Sequence, residues 1–280
     1  WDTTRETGPV VTSPRIVPGV SMAELVLPDG TKVWLDREAN RALEEGVKNS
    51  GDTLNYTEVV ASGIQDSSEI YHTLRVPRGG EYTLVLADGT TVYLNAESEL
   101  RFPKQFKGKS RKVYLEGEGY FEVTRQNGKN FTVKTQEYDV VVKGTKFNVS
   151  AYPDDSYITT TLQEGVVELN YKEEQIRMSP GESISLDLQT GQLKGKKVNA
   201  WQAMAWAEDR IEYDDITLGE MVKKLSRQYD VRIQLGSEKL GDMKFRVSLR
   251  NKETIVDVMD ALKEIIPIKV EYKEKDIYIR

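Results

Sequence analysis

The chain offers few side chains from which a catalytic centre could be built. It has one histidine, His72, and no cysteine among 280 residues. That removes thiol nucleophiles, disulfide frameworks and thiolate metal sites, and leaves a Ser-His-Asp relay a single candidate base with nothing around it that resembles the rest of the relay. One imidazole cannot assemble a His-rich metal centre either. Carboxylates are plentiful, so paired acid/base work is the next chemistry to weigh. Asp29 and Asp88 occupy equivalent places in two copies of one motif, ELVLPDGTKVWLD at 24–36 and TLVLADGTTVYLN at 83–95, identical at eight of thirteen positions. Catalysis would need the two carboxylates close together and perturbed in pKa. Apolar alternation on either side of Asp-Gly has a simpler meaning, a tight β-hairpin whose two tip residues take positive φ. Asp29, Gly30, Asp88 and Gly89 are accordingly read as turn residues.

Other chemical signatures are missing or incomplete. EGEGYFE supplies Gly117 and Gly119 but has Glu122 where a dinucleotide fingerprint needs its third glycine, and the sequence contains no phosphate loop, Gly-x-Ser-x-Gly or His-Glu-x-x-His. No motif nominates the spaced carboxylates of a glycosidase. No enzyme activity, cofactor or metal is expected. Asp154-Asp155 follows Pro153 without the ligand spacing of a calcium loop and reads as a turn. PKQFKGKSRK places Lys104, Lys107, Lys109, Arg111 and Lys112 near Phe102 and Phe106, a pattern that nucleic-acid surfaces use. The formal charge of -6 and pI of about 5.2 favour a solvated turn instead, and argue against nucleic acid or an anionic membrane as partners.

These residues must be carried by two kinds of element. From Met22 to about Leu186, short runs rich in Val, Leu, Thr, Tyr and Phe are punctuated by Gly, Asp, Asn and Pro, which predicts an all-β domain over 22–198, either a sandwich or a solenoid-like stack of hairpins. Residues 1–21, with three prolines and no periodicity, read as an extended linker. After Asn199 the texture changes, and 199–280 reads as a small α+β domain. Leu218, Met221, Val222, Leu225 and Tyr229 fall at helical offsets behind a Thr217/Glu220 capping box. Thirty-seven residues on, Ile255, Val258, Met259, Leu262 and Ile266 repeat the offsets behind Thr254/Asp257. Strand patterns flank both helices, so the unit is a doubled β-α-β with a last strand at 277–280, expected to form one small sheet covered by two helices. No stretch approaches a membrane span and the start is not a signal peptide, so the chain is either soluble as a whole or part of something anchored.

At this level the sequence resembles a known family. TLRVPRGGEYTLVLADGTTVYLNAESELRFPKQF, RKVYLEGEGYFEVTRQNGKNFTVKT, VVVKGTKFNVSAYPDD, TLQEGVVEL and MSPGES are similar, in order, to successive blocks of FecR-type sigma-factor regulators in their Bacteroidetes form. WAEDRIEYDDITLGEMVKKLSRQYDVRI and the β-α-β after it resemble the family's C-terminal domain, itself similar to the short N-terminal signalling domain of secretins and TonB-dependent receptors. The resemblance implies a relay. Such proteins cross the inner membrane once, bind an extracytoplasmic-function sigma factor through a cytoplasmic segment, contact an outer-membrane TonB-dependent transducer in the periplasm, and free the sigma factor after regulated proteolysis by periplasmic and intramembrane proteases. The cytoplasmic segment and membrane helix are absent from these 280 residues, so the chain is expected to be the periplasmic part, with membrane attachment only through the missing anchor.

A binding role also follows from strand physics. A small sheet covered on one face leaves another face and at least one edge for a partner strand. Val231 to Leu235 and Ile268 to Tyr272 are the expected edges, and alternation sends Arg232, Gln234, Lys269 and Glu271 away from the helices. Tyr272 completes the candidate docking set. Gly79 and Gly80, with Pro77, are expected to shape the chain between β units. A carbohydrate-binding β domain is the alternative, using Trp34, Tyr93, Tyr114 and Tyr120 as stacking platforms.

Overall fold

The computed structural model describes residues 16–38, 41–44, 46–61, 70–108, 110–208, 210–250 and 254–280. These fall into two compact units, one of 19–213 with 247–250, the other of 16–18, 214–246 and 254–280. The first unit runs β1 (Val20–Val26), β2 (Lys32–Asp36), β3 (Arg41–Glu44), β4 (Val47–Ser50), β5 (Thr53–Asn55), α1 (Thr57–Ala61), β6 (Tyr71–Val76), β7 (Gly80–Val85), β8 (Thr91–Leu94) and β9 (Ser98–Pro103). It continues with β10 (Ser110–Glu122), β11 (Asn130–Lys134), β12 (Asp139–Val142), β13 (Lys146–Ala151), β14 (Tyr157–Glu164), β15 (Val167–Tyr171), β16 (Glu174–Met178), β17 (Glu182–Asp187) and β18 (Leu193–Lys197).

Hydrogen-bonded ladders arrange these strands in two sheets. One has the order β2-β1-β6-β9-β10-β11-β12-β15-β16. The other has the order β3-β4-β5-β7-β8-β10-β13-β14-β17-β18. The chain crosses between the sheets every one to three strands and advances steadily along both. Sandwich and solenoid-like stack, left as alternatives by the sequence, are therefore two descriptions of one architecture. Period-2 burial supports it: Leu25, Leu74, Leu100 and Val113 from one sheet share a core with Leu54, Leu84, Val92 and Val149 from the other. Phe121 stacks on Phe147 with centroids 5.2 Å apart and reaches Phe131 of the opposite sheet at 6.4 Å.

The 13-residue β10 belongs to both sheets. Its first half pairs with β9 and β11, its second with β8 and β13, and the corner is Gly117 at φ 97°. A Cβ there would stand 2.6 Å from the Ser98 Cα, so only glycine fits. Gly117, part of the failed nucleotide fingerprint, thus has a structural use.

The repeated hairpins lie one in each sheet, β1–β2 and β7–β8. Their loops differ from the expected two-residue tip. Leu27 donates to Thr31 O while Gly30 donates to Leu27 O, and Leu86, Thr90 and Gly89 repeat the pattern, so each is a three-residue loop in which only the glycine takes positive φ. Gly79 (φ 70°) and Gly80 close the Pro77 turn, where Gly80 N–H donates to Pro77 O and a Cβ on Gly80 would approach Met22 O at 3.1 Å. Most of the expected 1–21 linker lies outside the described residues; Val20 and Ser21 belong to β1. Residues 199–213, read from composition as the start of the second domain, cluster with the β-rich unit.

The C-terminal elements follow the expected order, β19 (Arg210–Thr217), α2 (Leu218–Tyr229), β20 (Arg232–Leu235), a short α3 (Glu238–Gly241), β21 (Lys244–Arg250), α4 (Ile255–Ile265), β22 (Val270–Lys273) and β23 (Asp276–Ile279). Both capping boxes form, and the predicted apolar stripes of α2 and α4 are buried. The strands do not make one sheet. β19 pairs with β21, while β20-β23-β22 is a separate three-stranded sheet. The cause lies in β23: it pairs parallel to β20 and antiparallel to β22, and so occupies the central place that a continuous βαβ sheet would give to another strand.

Candidate docking surface

Two faces of the three-stranded sheet are set by strand parity. Ile277 and Ile279 are fully buried, and Ile233, Leu235, Val270 and Tyr272 share their side of the sheet. Helix α2 and the short α3 pack against β20, and burial, with smaller contributions from the charges of Asp260 and Asp257 of α4, pushes the Tyr272 phenol up to about 12. Its hydroxyl is buried without a hydrogen-bond partner among the described residues. Tyr272 therefore differs from the other candidates, because its side chain belongs to the helix side and only its backbone lies at the edge.

Arg232, Gln234, Lys269 and Glu271 are all exposed on the opposite face. Registers Gln234↔Tyr278↔Glu271 and Arg232↔Asp276↔Lys273 add residues that sequence reasoning missed. The signal was present, since Ile277 and Ile279 alternate with Asp276, Tyr278 and Arg280. Arg232 pairs with Asp276 at 3.0 Å and Arg280 with Glu271 at 3.2 Å. Among the described residues β20 and β22 are the two edges, on either side of the central β23.

The remaining sequence-derived residues are dispersed. Asp29 accepts from the Thr31 N–H at 2.9 Å in solvent, and these bonds hold its pKa below the ordinary value. Asp88 accepts from the Thr90 N–H at 2.9 Å and also pairs with Arg111 at 2.6 Å, both side chains being buried. Arg111 departs from the solvated-turn reading of its basic segment, and Lys104 pairs with Glu44 at 2.8 Å. The aromatics of the carbohydrate reading form no common platform. Trp34 is half exposed beside an open groove of about 430 Å³ that also touches Arg75, Arg78 and Glu99. Tyr114 lies on the same sheet with β1, β6 and β9 between them. Tyr93 and Tyr120 pack together on the other sheet beneath Met204 and Trp206.

Among the described residues no group of three or more His, Cys, Asp or Glu could hold a metal ion, and no helix is long and apolar enough to cross a membrane. The C-terminal sheet presents a charged face and, among the described residues, two edge strands of the kind that can extend a ladder.

Comparison with known proteins agrees with this class. The profile described as FecR protein matches residues 72–168, and the one described as FecR, C-terminal, matches 210–279. Two crystal structures of a candidate anti-sigma factor from Parabacteroides distasonis ATCC 8503 superpose with a TM-score of 0.71 at 29% identity, covering 74% and 75% of this chain and 98% of theirs. Curated proteins give no match. An all-β unit followed by a small α+β unit is the architecture that these regulators share. The chain belongs to the FecR family of anti-sigma factors.

Proposed function

We propose that this chain is the signal-receiving region of a FecR-type regulator, and that it takes up a protein partner on the three-stranded C-terminal sheet. One observation carries this reading: the sheet is covered by helices on one side only, and its other face, with Arg232, Gln234, Lys269 and Glu271, is exposed between two edge strands. The partner that the family resemblance supplies is the signalling domain of an outer-membrane TonB-dependent transducer, met in the periplasm. The output is control of an extracytoplasmic-function sigma factor through a cytoplasmic segment, released by proteolysis. Backbone pairing would give affinity and the alternate side chains selectivity.

The test is calorimetric titration of the chain with purified signalling domains of TonB-dependent receptors from the same genome, beside a panel of soluble polysaccharides. Saturable binding of one receptor domain and none of the glycans is expected. Binding to a glycan and to no receptor domain would replace this reading with the carbohydrate one.

A further inference from the structure

We propose that the β22 edge selects a partner strand bearing carboxylates at two positions four residues apart on one face, one opposite Lys269 and one opposite Lys273. This rests on the docking reading above and names the chemistry of its partner.

The ladder decides which backbone groups are available. Lys269 N–H donates to Arg280 O at 2.7 Å and Arg280 N–H donates to Lys269 O at 2.9 Å, so this pair exchanges both bonds. In an antiparallel ladder such pairs alternate, which turns the backbone of Glu271 and Lys273 inward to β23 and that of Val270 and Tyr272 outward. An added strand would bond to Val270 and Tyr272. Residues opposite Lys269, Glu271 and Lys273 would then fall in the closely spaced pairs, with Cα atoms about 4.5 Å apart, where side chains meet most directly.

Charge then selects the occupant. Glu271 is engaged by Arg280, whereas Lys269 and Lys273 are exposed and have no ion pair among the described residues. The other edge is chemically different: Arg232 is held by Asp276, and Gln234 is neutral. The open face as a whole has four cations, Arg232, Lys269, Lys273 and Arg280, against Glu271 and Asp276, in a chain whose formal charge is -6. An acidic partner is therefore drawn to this face while the molecule at large repels it. The order of charges over Lys269, Glu271 and Lys273 is positive, negative, positive. It reads the same from either end, so the charge order itself does not depend on the direction of the added strand, while the closest side-chain approach is that of antiparallel addition.

The experiment uses the full chain and the receptor signalling domain that binds it. The double variant K269E/K273E should bind about tenfold more weakly, since two cross-strand attractions become repulsions. Its affinity should also depend less on salt, and reversing two carboxylates on one strand of the receptor domain should restore binding. Amide exchange at Val270 and Tyr272 should slow on binding. An unchanged thermal midpoint for the variant shows that these exposed substitutions leave the fold intact. Equal binding by K269E/K273E, or a loss confined to R232E, would overturn the β22 assignment while leaving the docking reading in place. Self-association of the chain through β22 in place of receptor binding would make the occupant a second copy and overturn the acidic-partner assignment. Binding of no receptor domain at all would remove both.

Discussion

The Arg111 guanidinium donates to the Asp88 carboxylate at 2.6 Å with both side chains almost wholly out of water, at 1% and 3% exposed. Arg111 also donates to the carbonyls of Thr124 at 2.8 Å and Lys129 at 3.0 Å, and its head lies over the Phe131 ring. The Asp-Gly motif thus does different work in its two copies. At Asp29 the carboxylate shapes a loop in water. At Asp88 it also neutralises a buried cation, and removing one member of such a pair leaves the other uncompensated.

Asp88→Ala is therefore expected to destabilise the β-rich unit by about 3–5 kcal/mol, whereas Asp29→Ala should leave the denaturation midpoint nearly unchanged. Urea unfolding of both variants checks this. Replacing both partners, in Asp88→Ala/Arg111→Met, should recover much of the loss because no lone charge remains. Equal sensitivity of the two aspartates would remove the distinction.

A second prediction concerns His72, which is 1% exposed, its Nδ1 2.6 Å from the Tyr56 hydroxyl and its Nε2 3.3 Å from Glu44. Burial lowers its pKa to about 4, with the Glu44 charge opposing the shift and Lys104 adding to it. Because the folded-state value lies below the ordinary 6.5, the unfolded chain binds the proton first as the pH falls. Stability is complete above about pH 6.5 and is lost on acidification toward pH 4, by up to about 3 kcal/mol from this group. His72→Gln should be less stable at neutral pH yet show a flatter decline between those limits, as measured by denaturant titration at each pH. An identical slope in the two proteins would show that other groups carry the acid sensitivity.

The sequence was most legible where periodicity and capping agree. In α2 and α4, the five-residue stripes and the Thr217/Glu220 and Thr254/Asp257 boxes specify helices without outside help, and both form. Paired sheets were harder to read. Nothing local to Tyr71–Val76 or Ser98–Pro103 says that they will be neighbours, because strand pairing is a non-local choice made by the core. The uncovered face was partly legible: alternation marks Arg232, Gln234, Lys269 and Glu271 as outward. The same rule places the Tyr272 side chain on the helix side, and only its backbone lies at the edge. The burial of Arg111 was invisible because its partner stands 23 residues away in another hairpin.

Gly117 supplies a third prediction. At φ 97° an alanine is strained, and its Cβ would meet the Ser98 backbone, which cannot retreat because Ser98 Oγ accepts the Glu118 N–H at 2.8 Å. Gly108 also has a positive φ, of 75°, but open space around it. Gly108→Ala should cost about 1 kcal/mol from the backbone alone. Gly117→Ala should cost several times that, or prevent folding, since the corner joins both sheets. Circular dichroism melts compare the two, and similar midpoints would mean that the corner can flex.

The fourth prediction concerns the segment that leaves the last strand of the β-rich unit. Met204 and Trp206 pack on Tyr120 and Tyr93, and the Trp206 indole N–H donates to Asn148 Oδ1 at 3.4 Å. The Asn148 amide donates in turn to Glu118 Oε1 at 2.9 Å, and Asn95 donates to Glu118 Oε2 at 2.9 Å, so one buried carboxylate organises the patch under the indole. Two short helical turns, 200–203 and 205–208, have little internal hydrogen bonding to keep them in place. The Trp206 anchor adds to the Asn199 cap in holding them in place. Trp206→Ala should remove about 3 kcal/mol of local stability, which corresponds to roughly a hundredfold faster amide exchange in 200–208. Cleavage by a nonspecific protease should concentrate there while 20–197 stays resistant. Trp206→Phe, which keeps a ring but loses the N–H donor, should fall between the two. If exchange in 200–208 is unchanged in Trp206→Ala, the indole is not what holds the segment down, and the Glu118 network must be serving the sheet rather than the strand exit.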